Sequence, residues 1–181
     1  MCRRFAFTKE LLKEEDAYPG VRIEEDYEVE PGKKAYGITF SRNGILKAYL
    51  FTFGFPSYDG SYLYNARIET AAEKPSFKED YPSHKAVFPC TSFFEFDRKK
   101  KEHEFISEAN PILYLAGFYN RERQFVLLTE EGKKGIYPLP PRMPLLLTKE
   151  DVIPYLQGKD LTEREHPSLL SKEEETMVPL F

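Results

Sequence analysis

The 181-residue chain has no tryptophan, only two cysteines and only three histidines, and these shortages exclude several kinds of protein. Two cysteines in this length do not make a disulfide framework, and the scattered cysteines and histidines lack zinc-ligand spacing. No apolar run approaches the ~20 residues of a membrane span, and no secretory signal pattern opens the chain. No glycine-rich phosphate loop is present either. We therefore expect a cytoplasmic protein that uses no metal, no cofactor and no membrane.

The composition is that of a globular domain rich in aromatic residues. Hydrophobic residues make up 41% and charged residues 31% of the chain, which is long enough for one domain with a sizeable core. Fifteen phenylalanines, twelve tyrosines and fourteen prolines favour β structure over helical bundles. The formal net charge of -4 argues against a protein that coats nucleic acid non-specifically, but it is compatible with a local basic groove.

Short β-rich runs separated by turn residues predict a series of strands. Asn43-Gly44 is a hairpin signal, and strands are predicted over residues 35–40, 45–53, 86–96, 104–107, 112–119, 124–128 and 145–147. Helices are predicted over residues 8–17 and 148–156, with Thr8 and Thr148 as N-caps. The pattern indicates an α+β fold, a β-rich single domain with a curved, barrel-like antiparallel core flanked by a few short helices. This domain is expected to span residues 1–157, followed by a charged C-terminal tail over residues 158–181.

Cys2 follows Met1, so removal of Met1 would leave a thiol and a free α-amine on adjacent carbons. The amine can condense with an aldehyde to an imine, and the thiol can then close on the imine carbon to give a five-membered thiazolidine. Reference pKa values of about 7.7–8.0 for the amine and about 8.5 for the thiol leave part of each group nucleophilic near neutral pH. Cys2 is therefore a candidate covalent trap for aldehydes; the alternative is a chance cysteine at this position.

Three internal segments accompany Cys2 in a fixed order. They are Asn65-Ala66-Arg67-Ile68-Glu69-Thr70, Pro89-Cys90-Thr91-Ser92-Phe93-Phe94-Glu95-Phe96 and Arg142-Met143-Pro144. In addition, Phe53-Gly54-Phe55-Pro56-Ser57 looks like a shortened Trp-Gly-x-x-Pro loop. Together these segments resemble the SRAP family, the SOS response-associated peptidase-like proteins. The resemblance extends from Met1 to about Leu156, and its most specific part is the Asn-Ala-Arg-x-Glu-Thr segment.

The resemblance implies a monomeric DNA-damage protein that recognises abasic sites in single-stranded DNA. It implies that Cys2 couples to the ring-opened sugar aldehyde as a thiazolidine, after an autoproteolytic removal of Met1 that accounts for the word peptidase. By motif position, Cys2 is the nucleophile, Glu95 is the catalytic carboxylate, and Asn65 belongs to both the catalytic and the DNA-binding set. Arg4 and Arg67 are implied to approach the DNA backbone.

The residue types suit this chemistry by themselves. Imine formation needs a proton removed from the amine and delivered to the departing water, and desolvation by flanking phenylalanines would raise the pKa of Glu95 toward that task. Arg67 offers a planar fork for phosphate oxygens, and the Asn65 amide both donates and accepts. On the residues alone, the alternative is that Glu95 alternates outward on a strand and that Arg67 pairs with Glu69.

Three aromatic residues are candidates for stacking on unpaired bases: Tyr58, which we place in the DNA-binding set, Tyr62 and Phe55. The alternative for each of them is an ordinary place in the core, because aromatic residues make up 15% of the chain. Cys90, inside an apolar strand, is expected to be buried and inert.

The sequence departs from the family at Pro140, where the family usually carries a histidine associated with proton transfer at the sugar and with reversal of the adduct. A proline side chain transfers no proton, so ring-opening assistance and crosslink release are in doubt. Tyr137 could stand in, but a phenol with a reference pKa of about 10 is a poor proton shuttle at neutral pH. Arg3 replaces a family glycine beside the nucleophile. The histidines present are expected on the surface: His84, His103 and His166.

Two other functions are compatible with the sequence. One is a non-catalytic module that binds single-stranded nucleic acid and has lost turnover, which the proline at position 140 permits. The other is a cysteine peptidase acting on other peptides. That function needs a base near the thiol, and no histidine occupies a position that would supply one.

Overall fold

The structure is a computed structural model that describes residues 1–9, 25–136, 138–159, 161 and 164–172. Within these residues the chain forms fifteen β-strands and one short α-helix, α1 at Val152–Leu156. The strands are β1 Arg4–Phe7, β2 Tyr27–Val29, β3 Lys34–Phe40, β4 Leu46–Phe53, β5 Phe55–Pro56, β6 Tyr62–Leu63, β7 Asn65–Arg67, β8 Lys85–Cys90, β9 Ser92–Phe96, β10 Glu102–Ser107, β11 Leu113–Tyr119, β12 Gln124–Glu131, β13 Arg142–Pro144, β14 Leu146–Leu147 and β15 Leu169–Ser171.

One antiparallel sheet brings the N-terminal segment beside the strand that contains Glu95. Its strand order is β15-β10-β9-β1-β2, with β1 in contact with both β9 and β2. Phe5 lies opposite Phe93 on β9 and opposite Val29 on β2. Because side chains alternate along a strand, Phe93 and Glu95 share the inner face of this sheet.

A second sheet closes into a barrel. Its order is β13-β12-β4-β3-β8-β11-β14, and a further β11–β12 pairing joins β12, β4, β3, β8 and β11 into a ring. Most pairings are antiparallel, but β12 runs parallel to β4 and to β7. The predicted β-rich single domain with a curved core and few helices is confirmed, and the parallel pairings of β12 are its departure from an all-antiparallel core.

Aromatic rings fill the space between the barrel and the first sheet. The Phe5 and Phe53 ring centroids lie 5.6 Å apart, and Phe53 stacks on Phe125 at 4.8 Å. Gly37 is required here, because a Cβ at that position would lie 2.5 Å from the ring of Phe88. Cys2 belongs to this same buried cluster, so the N-terminal residues are part of the core.

A second apolar cluster lies on the other face of the barrel wall, where α1 packs. The Tyr155 hydroxyl donates a hydrogen bond of 2.8 Å to the Gly117 carbonyl oxygen. The helix begins at Val152, and the Thr148 hydroxyl bonds the Asp151 carboxylate at 2.8 Å. The predicted N-cap role of Thr148 is therefore wrong, because its hydroxyl donates to a side chain and the residue that precedes the helix is Asp151.

The structure adds strands that the sequence pattern did not indicate. β2 follows a segment of mixed charge, and β15 pairs with β10 through Leu169, Leu170 and Ser171. Part of the stretch expected to be a charged tail is thus bound to the first sheet, while the boundary at residue 157 stays a prediction. The predicted helix over residues 8–17 lies almost wholly outside the described residues. Among the described helices, none is long and apolar enough to cross a membrane.

Candidate active site

The chain terminus contacts a buried carboxyl group. The Met1 α-ammonium donates to Glu95 Oε2 at 2.8 Å, and the Glu95 side chain has no exposed surface. Glu95 faces inward with Phe93, so it does not alternate outward. A charged amine and a buried acid are therefore held together at the inner face of β9.

Burial changes the acidity of this carboxyl group. Loss of water raises the pKa of Glu95 from 4.5 to about 7, and the nearby Met1 ammonium opposes part of that rise. The direction agrees with the expectation from the flanking phenylalanines. A carboxyl group with a pKa near neutrality can both accept and donate a proton at physiological pH, which is the requirement for acid/base catalysis.

Cys2 lies beside this pair and is completely buried. Its thiol is 3.5 Å from the Arg4 carbonyl oxygen, and its own carbonyl oxygen accepts a hydrogen bond of 2.8 Å from Asn65 Nδ2. Burial, followed by the negative charge of Glu95, raises the pKa of the Cys2 thiol well above its usual value. The thiol is thus protonated at neutral pH and needs a base before it can act as a nucleophile.

Strand β7 delivers Asn65 to the N-terminal segment. β7 runs parallel to β12, with Asn65 opposite Leu127, and Ala66 is buried on the opposite face of the wall. Among the described residues, Asn65 Oδ1 and Glu95 Oε1 are buried acceptors without a hydrogen-bond partner. Buried polar atoms of this kind are rare in native proteins. The two oxygens are free to accept hydrogen bonds from a bound molecule.

Arg142 is held beside the motif that contains Asn65. Its Nη2 atom donates to the Thr129 carbonyl oxygen at 2.7 Å and to Glu69 Oε2 at 2.9 Å. Its positive charge also opposes the burial-driven rise in the pKa of Glu95. The sequence pattern assigns no role to Arg142, although its Arg-Met-Pro segment is one of the three internal segments. The alternative of a direct ion pair between Arg67 and Glu69 is wrong, because Arg142 makes that ion pair, although Arg67 lies close enough for its charge to act on Glu69.

Arg4 is already engaged by protein groups. Its guanidinium bonds Glu28 and Glu102, each at 2.8 Å, and lies 3.7 Å from the centroid of the Phe94 ring. These contacts are on the outer face of the first sheet. A DNA phosphate would have to replace at least one of the two carboxylates, so the predicted phosphate contact of Arg4 stays a prediction.

The other predicted DNA-binding residues differ in accessibility. Arg67 is exposed, and within the described residues it has no ion-pair or hydrogen-bond partner. Tyr58 is fully exposed in the turn between β5 and β6, and Tyr62 is 39% exposed. Phe55 packs edge-on against Phe118 inside the second cluster, so its predicted stacking on bases is wrong. The roles of Arg67 and Tyr58 stay predictions.

His103 is a residue near the site that sequence analysis missed. It lies directly opposite Glu95 in the β9–β10 pairing, is buried, and its Nε2 atom is 3.1 Å from Asp97 Oδ2. The expected surface position of His103 is therefore wrong. The predicted strand over residues 104–107 stops one residue short of His103. Extending that strand back to the charged turn at residues 97–101 would have placed His103 opposite Glu95. Tyr137, considered as a substitute proton shuttle, lies outside the described residues.

Cys90 is buried as expected, and burial raises the pKa of its thiol. Over the part of the chain that the structure describes, no group of three or more His, Cys, Asp or Glu residues could hold a metal ion.

The raised pKa of Glu95 leads to a prediction about stability. The Glu95 carboxyl group has a pKa of about 7 in the folded chain and a reference pKa of 4.5, so between these pH values the folded state binds more protons than the unfolded state. Its contribution to the free energy of unfolding is therefore complete below about pH 4.5 and is lost as the pH rises through 7. With Met1 present in both chains, as checked by intact mass, we expect Glu95→Gln to become more stable relative to the unaltered chain by about 2–3 kcal/mol between about pH 5 and about pH 8. Urea unfolding at both pH values measures this difference.

The matched control is Glu79→Gln, which removes an exposed carboxylate. Its stability should follow that of the unaltered chain at both pH values. Equal stability differences for Glu95→Gln at the two pH values would contradict the burial-driven shift in the pKa of Glu95.

Comparison with protein families decides the identity of the chain. The model of the family described as SOS response associated peptidase (SRAP) matches residues 1–180. This chain belongs to the SRAP family. The resemblance drawn from Cys2 and the three internal segments is thereby confirmed, and the match extends beyond Leu156 to nearly the last residue.

Curated relatives of this SRAP chain come from a bacterium and a phage. It is 28% identical over 113 residues to the abasic site processing protein YobE of Bacillus subtilis (strain 168), covering 56% of this chain and 52% of that protein. It is 27% identical over 113 residues to the abasic site processing protein YoqW of Bacillus phage SPbeta, covering 56% of this chain and 50% of that protein. The chain thus spans about half the length of the curated relatives it matches.

Solved structures share the fold of this chain at low sequence identity. A crystal structure of a protein from Bordetella bronchiseptica matches with a TM-score of 0.69 and 17% identity, over 94% of this chain and 98% of that one. Another, from Bacteroides thetaiotaomicron, matches with a TM-score of 0.66 and 21% identity, over 80% of this chain and 76% of that one. At these identities the likeness shows a common fold.

Proposed function

We propose that this SRAP protein processes abasic sites in single-stranded DNA by capturing the ring-opened sugar in a thiazolidine with Cys2. The observation that carries the proposal is the hydrogen bond of 2.8 Å between the terminal amine and the buried Glu95, beside a buried cysteine. The names of the curated relatives, abasic site processing proteins, support the choice of substrate.

The first step in the proposal is removal of Met1. Water adds to the Met1 carbonyl carbon, the bond to the Cys2 nitrogen breaks, and that nitrogen takes up a proton to leave as the new α-amine. Glu95 is the base for the water and returns the proton to the nitrogen. The hydrogen bond from Asn65 fixes the Cys2 carbonyl on the other side of the bond that breaks.

The second step is capture of the aldehyde. The Cys2 amine adds to the aldehyde carbon, Glu95 delivers a proton to the departing oxygen, and loss of water leaves the imine. The thiol then adds its sulfur to the imine carbon and its proton to the imine nitrogen, which closes the ring without an oxidant or reductant. Because burial raises the pKa of Glu95, this group can supply and recover protons during capture.

The DNA strand is held by cationic and amide groups around the N-terminus of the protein. Arg67 is exposed and, within the described residues, its side chain makes no direct ion pair or hydrogen bond, although its charge acts on the nearby Glu69, so a phosphate can bind it without breaking a protein contact. Asn65 Oδ1 is free to accept a hydrogen bond from the sugar. Such contacts hold the backbone and do not read sequence.

The test is a denaturing gel of the purified protein after incubation with a single strand that contains one abasic site. We expect a heat-stable shifted band, and an intact mass that begins at Cys2. The matched control is the same strand after borohydride reduction of its aldehyde, which should give no band. An unshifted strand together with a processed N-terminus would overturn the proposal.

A non-catalytic module is the second candidate, favoured by the complete burial of the Cys2 thiol and by the proline at position 140. It predicts binding that weakens steeply with salt and leaves no covalent product. The same gel separates the two candidates, because only capture survives heating.

Pro140 gives a prediction about release. Since proline cannot transfer a proton, we expect Pro140→His to speed reversal of the adduct by about 10- to 10²-fold. The upper value is the lower end of the range for general acid/base catalysis. Transfer of the protein from the labelled strand to an excess of unlabelled abasic strand measures the rate. The control is Pro141→His, at an exposed neighbouring position, which should release at the original rate. Equal release from all three proteins would remove the role assigned to position 140.

A further inference from the structure

A cleft of about 500 Å³ opens along β4, away from the N-terminal segment. Phe53, at the end of β4, packs on Phe5, whereas the cleft is lined by the residues that precede it on the same face of the strand: Lys47, Tyr49 and Phe51. At about 3.3 Å per residue, Tyr49 is roughly 13 Å along the strand from Phe53. The cleft is therefore separate from the pair formed by Met1 and Glu95.

The strand pairing explains why the cleft is open. β3 pairs with β4 from Leu46 to Thr52, but on the other edge β12 pairs with β4 only at Thr52 and Phe53. In the described ladders, the first half of β4 thus has a neighbour on one edge only. Arg123, in the turn before β12, reaches across this gap and lies 5.2 Å from the Tyr49 ring centroid.

All of the charged side chains that line the cleft are positive. Three cationic residues line it, Arg42, Lys47 and Arg123, and none of the lining residues is acidic. All three are exposed, and within the described residues none of them has an ion-pair partner. The chain as a whole has a net charge of -4, so a concentration of uncompensated cations is not a consequence of its composition. Like charges gathered in a concave surface favour an anionic ligand.

The aromatic residues of the cleft add a second kind of contact. Tyr49 is half-buried and carries the Arg123 guanidinium near its ring, and the Tyr119 ring lies 4.9 Å from Phe51, with His84 stacked on it at 5.3 Å. Rings beside cations are the arrangement that binds single strands, since bases stack on rings while phosphates meet the positive charges. A mononucleotide would use only part of this surface.

We propose that this cleft is a second binding site for single-stranded nucleic acid. Arg42, Lys47 and Arg123 contact phosphates, and Tyr49 stacks with a base. The site has no reactive group and needs no abasic sugar, so it binds undamaged strands. It holds single strands regardless of their base sequence, whether or not Cys2 forms an adduct.

The test uses fluorescence anisotropy with an undamaged, labelled oligothymidylate of about 12 nucleotides. We compare the unaltered chain with a triple variant, Arg42→Gln, Lys47→Gln and Arg123→Gln. Each phosphate contact contributes about 0.7 to the slope of log affinity against log salt for single strands, so we expect the slope to fall by about 2. The control triple variant removes three exposed lysines that do not line the cleft: Lys99→Gln, Lys134→Gln and Lys149→Gln.

A ring variant tests the stacking contact. Tyr49→Leu should bind about 5- to 150-fold more weakly and Tyr49→Phe should bind normally, because only the ring is needed. If Tyr49→Leu does not fold, the charge variants still decide, since their positions are exposed. Equal salt slopes for the two triple variants would overturn the proposal, and so would thymidine monophosphate binding as tightly as the strand. Failure of covalent capture would leave these measurements unchanged, so the two proposals fail separately.

Discussion

A Cys2→Ala variant is expected to give no heat-stable product with a single strand that carries an abasic site. Alanine leaves the backbone and the α-amine in place, so the amine can still condense with the aldehyde. Without the sulfur, the imine has no ring to close and hydrolyses on heating. The band on a denaturing gel should fall to the level seen with the borohydride-reduced strand.

Two controls separate the sulfur from other causes. Cys90→Ala removes the other buried thiol and should give the full band. Borohydride added during the reaction reduces an imine to a stable amine, so it should restore a band for Cys2→Ala after its N-terminus has been shown by mass to be free of Met1. A heat-stable band of unaltered strength for Cys2→Ala without borohydride would disprove the thiazolidine.

Replacement of Glu95 by glutamine is expected to slow both Met1 removal and capture by about 10²–10⁴-fold. Glutamine has nearly the same shape and can still accept a hydrogen bond from the terminal amine, but it neither gives nor takes a proton at neutral pH. Single-turnover gels measure capture, and intact mass against time measures Met1 removal. In the unaltered chain, capture should depend on pH through the titration of Glu95, whose pKa is raised by burial.

The matched control is Glu104→Gln, on the neighbouring strand and opposite Phe94, so that it lies on the other face of the sheet. Glu104 pairs with Lys172 at 2.6 Å, and its loss should leave both rates unchanged. Equal slowing by Glu104→Gln and Glu95→Gln would show that the effect is structural. Unchanged rates in Glu95→Gln would exclude proton transfer by this residue.

Cys2, Asn65 and Glu95 could be named as candidates because each residue lies in a short segment with its own pattern; the structure brings them together, and their catalytic roles stay predictions. The neighbours of Glu95 in the sequence are phenylalanines, and apolar neighbours on a strand predict a desolvated carboxyl group. The direction of its pKa shift could therefore be stated before any contact was known. The contact with the Met1 amine could not, because it joins residues 94 positions apart.

Other parts of the site depended on strand register and on competition between partners. His103 lies opposite Glu95 because the β9–β10 hairpin turns over Asp97 to Lys101, and a shift of one residue would have placed it on the other face. Glu69 bonds Arg142 and not the nearby Arg67, which a local pattern does not reveal. The engagement of Arg4 by Glu28 and Glu102 depends in the same way on the order of strands in the first sheet.

By itself the sequence determined the family, the β-rich class and the inventory of reactive groups, because these follow from residue types and from short-range periodicity. Only the tertiary structure decided which groups meet. The barrel closes through the β11–β12 pairing, and the first sheet lays Cys2 and Glu95 against it, so that burial sets their protonation states. Contacts between distant segments depend on which strands pair, and a linear pattern does not specify that pairing.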